Sequence, residues 1–173
     1  MRAAGESAEF ALPTRRATRR FGAVLGALLA PGDLVVLEGD LGAGKTFLVR
    51  GIARALGVPL EVPVTSPTFA LVHELPARVP VLHADLYRLG DADELAELGL
   101  VERVGHDVVA LVEWGERFLA QLRAEGLLVR LSHEAVAGRR MRVSPLGPRG
   151  EVLIAALEQA RAAWEGRTET RVT

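Results

Sequence analysis

Apolar positions along this chain switch between two spacings. From Thr14 to Ala30 they recur at helical intervals, with Phe21, Leu25 and the Leu28/Leu29 pair on one side and Arg15, Arg16, Arg19 and Arg20 near the start. Pro31-Gly32-Asp33 reads as a turn. Leu34 to Leu37 is an apolar run of strand length bounded by turn residues, the mark of a strand buried in a parallel sheet. Phe47 to Leu56 returns to helical spacing, with Leu48, Ile52 and Leu56 on one face, Arg50 and Arg54 on another, and Gly57 as its stop. The pattern predicts three more strands, Phe69 to Glu74, Pro80 to Asp85 and Asp107 to Glu113, with an acidic helical stretch, Asp91 to Val104, between the last two. Trp114 to Ala124 predicts a helix. Leu127 to Ser132 and Arg140 to Ser144 predict an antiparallel hairpin at the sheet edge, turning near Gly138, and Arg149 to Trp164 predicts a terminal helix. Residues 1–10 and 167–173 read as flexible termini around a single domain, 11–166. Strands that alternate with helices argue for an α/β sheet, mostly parallel.

Composition narrows the chemistry. The chain has 173 residues, 49% hydrophobic and 25% charged, with a formal net charge of −1, an ordinary balance for one domain with a substantial core. It has no cysteine, which excludes disulfides, thiolate metal sites and cysteine nucleophiles. No apolar run reaches the ~18 residues that span a bilayer, so a membrane partner is not expected. Thr18-Arg19-Arg20-Phe21 before an apolar run resembles a twin-arginine export signal, but an ordinary helix accounts for it and a cytoplasmic location is expected. The arginines at 15, 16, 19 and 20 read as a solvated helix face rather than a nucleic-acid patch, with a local contact to RNA or an acidic partner as the alternative and no DNA partner expected.

Only one of the 21 basic residues is a lysine, Lys45, and it lies in Gly39-Asp40-Leu41-Gly42-Ala43-Gly44-Lys45-Thr46. This matches the P-loop pattern G-x-x-x-x-G-K-[ST], between a predicted buried strand and a predicted helix. The glycines let backbone N–H groups turn inward around phosphate oxygens, and the helix start adds partial positive charge. A lysine places a compact charge on the β- and γ-phosphates where a planar arginine fork would not fit. The Thr46 hydroxyl is placed to ligate Mg²⁺. Leu41, Gly42, Ala43, Gly44, Lys45 and Thr46 are thus the expected phosphate cradle of a P-loop NTPase-like three-layer sandwich. No lysine follows Lys45, so the Asn-Lys-x-Asp element that reads guanine in regulatory GTPases is absent. Two apolar runs end in an acid, Val108 to Glu113 and Val81 to Asp85. Either acid could serve the metal while the other orients water. Thr65-Ser66-Pro67-Thr68-Phe69 lies where such proteins often sense the γ-phosphate. Composition places Trp114 in the core. His73, His83, His106 and His133 lack metal-ligand spacing, although His83 lies two before Asp85.

In order, G-D-L-G-A-G-K-T, S-P-T-F-x-L-V, H-x-D-L-Y-R-L, E-L-x-x-L-G-L and V-E-W run through the chain. This set resembles the TsaE (YjeE) family, small bacterial ATPases of tRNA threonylcarbamoyladenosine synthesis, from about Leu12 to the terminal helix. The resemblance implies a Mg²⁺-dependent ATPase acting with TsaD and TsaB. Such an ATPase does not transfer the group itself, hydrolyses ATP in the assembled complex, and meets tRNA through that complex. Leu41 to Thr46 would bind the phosphates of ATP, and Thr46 and Glu113 would hold Mg²⁺. Asp85 would position the attacking water or a metal-bound water. Ser66 and Thr68 would sit in a switch-like loop, and Trp114 would be a functional aromatic rather than core. Arg15 and Gly138 would help close the nucleotide site. The chain departs from many relatives at Phe47, where a second threonine is common, and at Thr14-Arg15-Arg16, where an acidic position is missing; both bear on contacts to the base. The rival readings are a small-molecule P-loop kinase, which would need an acceptor pocket and an arginine-bearing lid, and a nucleotide-sensing module that hydrolyses too slowly to matter.

Overall fold

The computed structural model of the chain describes residues 5–134 and 138–165. The tail expected to be disordered after Gly166 lies outside them. Seven strands form one sheet in the order β1-β7-β6-β2-β5-β4-β3. The strands are β1 (Ala8–Leu12), β2 (Leu34–Glu38), β3 (Val72–Leu75), β4 (Val81–Asp85), β5 (Val109–Glu113), β6 (Gly126–His133) and β7 (Arg139–Leu146). Helices α1 (Arg15–Leu28), α2 (Lys45–Ala55), α5 (Gly147–Ala160) and α6 (Ala162–Glu165) pack with Phe10, Val35, Leu37, Leu111 and Val129 on one face. On the other face, α3 (Ala92–Glu97) and a 3₁₀ turn (Glu116–Phe118) running into α4 (Leu119–Leu122) contribute Leu95, Phe118 and Leu122 to a core with Val36, Ala84 and Val112. The sheet is therefore a middle layer between two apolar cores.

Strand β2 is fully buried from Leu34 to Leu37 and is paired in parallel with β5 and β6, as its unbroken apolar run requires. The expectation of a mostly parallel sheet needs correction. Three pairings are parallel (β2–β5, β2–β6, β4–β5) and three are antiparallel (β3–β4, β6–β7, β1–β7). The link between β3 and β4 is residues 76–80, far shorter than the dozen or more that a parallel crossover needs.

The expected edge hairpin, β6 with β7, is present but not at the edge, because β1 pairs along β7. Residues 8–10, read from sequence as part of a flexible terminus, belong to β1. There Ala8, Phe10 and Leu12 are buried while Glu9 and Ala11 face out. Phe10 packs 5.6 Å from Phe21 and 5.7 Å from Trp164, ring centre to ring centre.

Several elements are shorter than expected, for local reasons. The side chain of Asp91 accepts the N–H groups of Asp93 and Glu94 and starts α3, but Gly99 at φ 63° follows soon after its end. The stretch expected to be helical to Val104 continues as turns. Strand β3 begins at Val72 rather than Phe69 because Leu71 bends the chain at φ 62°. Trp114 has φ 61°, so the expected helix from Trp114 begins only after Gly115.

Candidate functional site

Three neighbouring parallel strands each end in an acid: β2 at Glu38, β4 at Asp85 and β5 at Glu113. Asp85 and Glu113 are register partners. Side chains alternate between faces along a strand, so His83 and Asp85 share the face of Val81, and Glu113 shares that of Leu111. Both apolar residues pack in the core beneath α1 and α2. The carboxylates of Asp85 and Glu113 therefore meet the start of α2.

The stretch Gly39 to Gly44 reaches that helix through left-handed backbone. Gly39 has φ 136°, and a Cβ there would lie 2.3 Å from the Leu131 carbonyl oxygen. Gly44 has φ 105° and starts α2 with no side-chain cap, which leaves the first backbone N–H groups of the helix free of a capping side chain. Lys45 is only 5% exposed. Its Nζ donates to the Gly39 carbonyl at 2.5 Å and the Asp40 carbonyl at 3.0 Å, and it lies 3.9 Å from the centre of the Trp114 ring. Burial pushes the Lys45 pKa below its ordinary value, against the opposing pull of Glu113, Glu38, Asp85 and Asp40.

The Thr46 hydroxyl donates to Glu113, 2.9 Å from Oε1 and 3.0 Å from Oε2. His83 Nε2 lies 2.8 Å from the same Oε1. Asp85 accepts the Ser66 hydroxyl on Oδ2 and the Tyr87 N–H on Oδ1 at 3.0 Å. Ser66 and Thr68 hydroxyls are 3.3 Å apart. Glu38 accepts the Glu116 N–H at 2.7 Å, and burial raises its pKa above the ordinary carboxyl value.

Lys45, Thr46, Ser66, Thr68, Asp85, Tyr87 and Glu113 line a cavity of about 480 Å³, while His83 and Glu38 lie outside its lining. Of the residues expected at the site, Leu41, Gly42, Gly44, Lys45, Thr46, Ser66, Thr68, Asp85, Glu113 and Trp114 line it. Trp114 is thus a wall of the cavity, half-buried, and not the core residue that composition suggested. Ala43 is buried beneath the loop. Arg15 does not line the cavity; its guanidinium stacks 4.7 Å from the centre of the Phe47 ring, which does. Gly138 is also outside it, against Leu12 and Pro13. The neighbour Arg139 reaches the loop instead, Nε to the Ala43 carbonyl at 2.6 Å.

Sequence reasoning gave no site role to Glu38, Tyr87, Arg88 or Arg139, noted Phe47 only as a departure from relatives, and noted His83 only for its place two before Asp85. For His83 the signal was present, since a strand puts residues 83 and 85 on one side. Tyr87 and Arg88 follow Asp85 in the same motif and line the cavity, with the Tyr87 and Trp114 rings 5.0 Å apart.

In chemical terms the arrangement is an anion cradle beside hard oxygen donors. Free helix N–H groups and an ammonium suit phosphate oxygens. A hydroxyl and a carboxylate in contact suit a hard divalent cation such as Mg²⁺ that takes its remaining ligands from phosphate and water. Among the described residues no cluster of three or more His, Cys, Asp or Glu could cage a metal without such help.

The family model described as "Threonylcarbamoyl adenosine biosynthesis protein TsaE" matches residues 12–141. A protein of Treponema pallidum (strain Nichols) named tRNA threonylcarbamoyladenosine biosynthesis protein TsaE is 39% identical over 127 residues, 73% of this chain and 93% of its own. Proteins of the same name in Mycobacterium tuberculosis (strain H37Rv) and Bacillus subtilis (strain 168) are 42% and 36% identical, over 75% and 82% of this chain and 82% and 88% of theirs. The crystal structure of Bacillus subtilis YdiB matches the fold with a TM-score of 0.70 and 28% identity, covering 91% of this chain and 98% of that one.

Proposed function

This chain belongs to the TsaE family, and we propose that it is a Mg²⁺-dependent ATPase of tRNA threonylcarbamoyladenosine biosynthesis. In this reading it acts with TsaD-like and TsaB-like proteins, meets tRNA through their complex in the cytoplasm, and does not itself transfer the threonylcarbamoyl group. The fold is read as a P-loop NTPase-like sandwich. One observation carries the proposal: Lys45, Thr46, Asp85 and Glu113 converge on a single cavity at the amino end of α2.

The backbone of Gly42 to Thr46 and the Lys45 ammonium would bind the β- and γ-phosphates of ATP. Thr46 and Glu113 would hold Mg²⁺, which when bound neutralises charge on those oxygens. Asp85, fixed by Ser66 and the Tyr87 N–H, would orient the attacking water toward the γ-phosphorus. Ser66 and Thr68 stand where a loop could respond to the γ-phosphate. The Trp114 ring over Lys45 shields that charge from water. Catalysis is then positioning and charge neutralisation, with no covalent step on the protein.

The test is phosphate release from ATP, with and without Mg²⁺, by the chain alone and with purified TsaB and TsaD. Mg²⁺-dependent release that rises sharply with both partners is expected. Bound nucleotide without stimulation would redirect the reading to a kinase, which a phosphorylated product in an acceptor screen would reveal.

A further inference from the structure

We propose that His83 is the positioning residue of Glu113, orienting the carboxylate that meets Thr46; this rests on the reading of Thr46 and Glu113 as the cation-holding pair. His83 lies on β4 and is 0% exposed. Of the same-face positions around it, Val81 on its own strand and Leu111 opposite it on β5 are apolar, while Asp85 at the strand end and His73 opposite it on β3 are polar. An aliphatic side chain would fill the same space without burying a polar ring. The imidazole makes one polar contact, Nε2 to Glu113 Oε1 at 2.8 Å. Its Nδ1 has no hydrogen-bond partner among the described residues. A core histidine kept for packing usually satisfies both nitrogens. This one satisfies only the nitrogen that faces the site.

The consequence lies in the rotation of Glu113. The last torsion of a glutamate is broad, so a lone contact leaves the carboxylate plane free to turn. Thr46 Oγ1 sits almost evenly between the two oxygens, at 2.9 and 3.0 Å, and does not by itself choose between them. The Nε2–H of His83 does. It engages Oε1 and leaves Oε2, with the Thr46 hydroxyl, for a cation. A ring that donates to a metal-holding carboxylate sets its orientation and basicity, and loss of such a partner typically weakens metal binding 10–100-fold.

Two measurements test this. The first uses the native chain with ¹⁵N-labelled histidine. His83 is buried while His73, His106 and His133 are exposed, which separates its signal. An Nε2–H tautomer is expected for His83. Its resonance should move in Glu113→Gln and again when Mg²⁺ and ADP are added. An Nδ1–H tautomer, or an Nε2–H signal indifferent to Glu113→Gln, would overturn the proposal.

The second measurement follows binding of a fluorescent ADP with and without Mg²⁺ in His83→Met and His83→Gln, side chains of similar size of which only Gln carries an N–H donor. His83→Met should lose about tenfold of the tightening that Mg²⁺ provides and keep Mg²⁺-free binding, while His83→Gln recovers most of it. Equal losses with and without Mg²⁺, or a Gln variant no better than Met, would mark a merely structural histidine. Absence of Mg²⁺-dependent tightening in the unaltered chain would fell the underlying ATPase reading instead, and the tautomer would still decide the bond to Glu113.

Discussion

Strand β2 has buried charge at both ends, and the two ends are built differently. At the amino end, Asp33 is gripped on both oxygens by Arg149, Nε to Oδ1 and Nη2 to Oδ2, each at 2.8 Å. Asp33 Oδ2 also accepts the Ala30 N–H, and Arg149 Nη2 also donates to the Leu28 carbonyl. The hydrogen bonds to Asp33 hold the Arg149 pKa above its ordinary value. At the carboxyl end, Lys45 feels four acids, yet its Nζ donates to two loop carbonyls. Burial outweighs the acids and lowers its pKa. Charges at one end cancel inside the chain. Those at the other are held apart around a cavity, where a ligand with phosphates and a cation would complete them. Under the proposed function, the unfinished electrostatics belong to the working end and the finished pair to a structural one.

The contrast breaks if the ends can be exchanged, and Lys45→Ala tests the upper one. Hydrolysis with partners present should fall on the order of a thousandfold, about 4 kcal/mol of transition-state stabilisation. The unfolding midpoint should hold or rise, because the folded state no longer buries a charge it disfavours. Near-normal turnover would remove the functional claim. Asp33→Ala should do the reverse. Leaving Arg149 without its partner should cost about 3 kcal/mol in urea unfolding. That is the low end of the range for a buried pair, since the Arg149 side chain is 32% exposed. Nucleotide affinity of the folded variant should not change. A matching loss of affinity would mean that the ends are coupled through β2.

The upper end was readable from sequence because its signal is local. Eight consecutive residues, Gly39 to Thr46, spell the loop, and Asp85 and Glu113 close apolar runs. The lower end carried no such signal: Asp33 and Arg149 are 116 positions apart and meet only once α5 has packed. Arg139, 96 positions from Ala43, carries no local signal for the same reason, and the resemblance points to Gly138 beside it instead. Strand β1 escaped because five alternating residues before a proline give too little periodicity to weigh, and its partner β7 is at the far end of the sequence. Trp114 defeated composition because its place follows from a left-handed backbone turn that no propensity predicts. Strand direction at β3 was within reach, since the five residues 76–80 cannot carry a parallel crossover.

A finer comparison sets Glu113 against Asp33, two acids almost equally hidden, at 2% and 4% exposure. Glu113→Ala should weaken Mg²⁺-supported nucleotide binding by more than the roughly tenfold expected of His83→Met, since it removes the carboxylate itself and not its orienting partner, and should leave Mg²⁺-free binding unchanged, read by titration of a fluorescent nucleotide. Unchanged Mg²⁺ dependence would move the cation to Asp85.

The smallest effect belongs to Glu38, the acid that closes β2 and accepts the Glu116 N–H. Burial is the main reason its pKa stands above the usual 4.5, and the nearby Glu116 adds to it, while the Glu116 N–H, Lys45 and Arg130 pull the other way. Below pH 4.5 both folded and unfolded chains carry the proton, and its favourable contribution is complete. As pH rises from there through the folded-state pKa, the native state holds a proton that the unfolded chain has released, so stability falls. Glu38→Gln keeps an oxygen for the Glu116 N–H and cannot ionise. Urea unfolding should therefore show the variant modestly more stable than the native chain at neutral pH, with the gap closing in acid. The opposite order, with the native carboxylate favoured at neutral pH, would mean that Glu38 is stabilised as an anion much as Asp33 is. Unfinished charge at the upper end would then reduce to Lys45 and the acids it shares with the cavity.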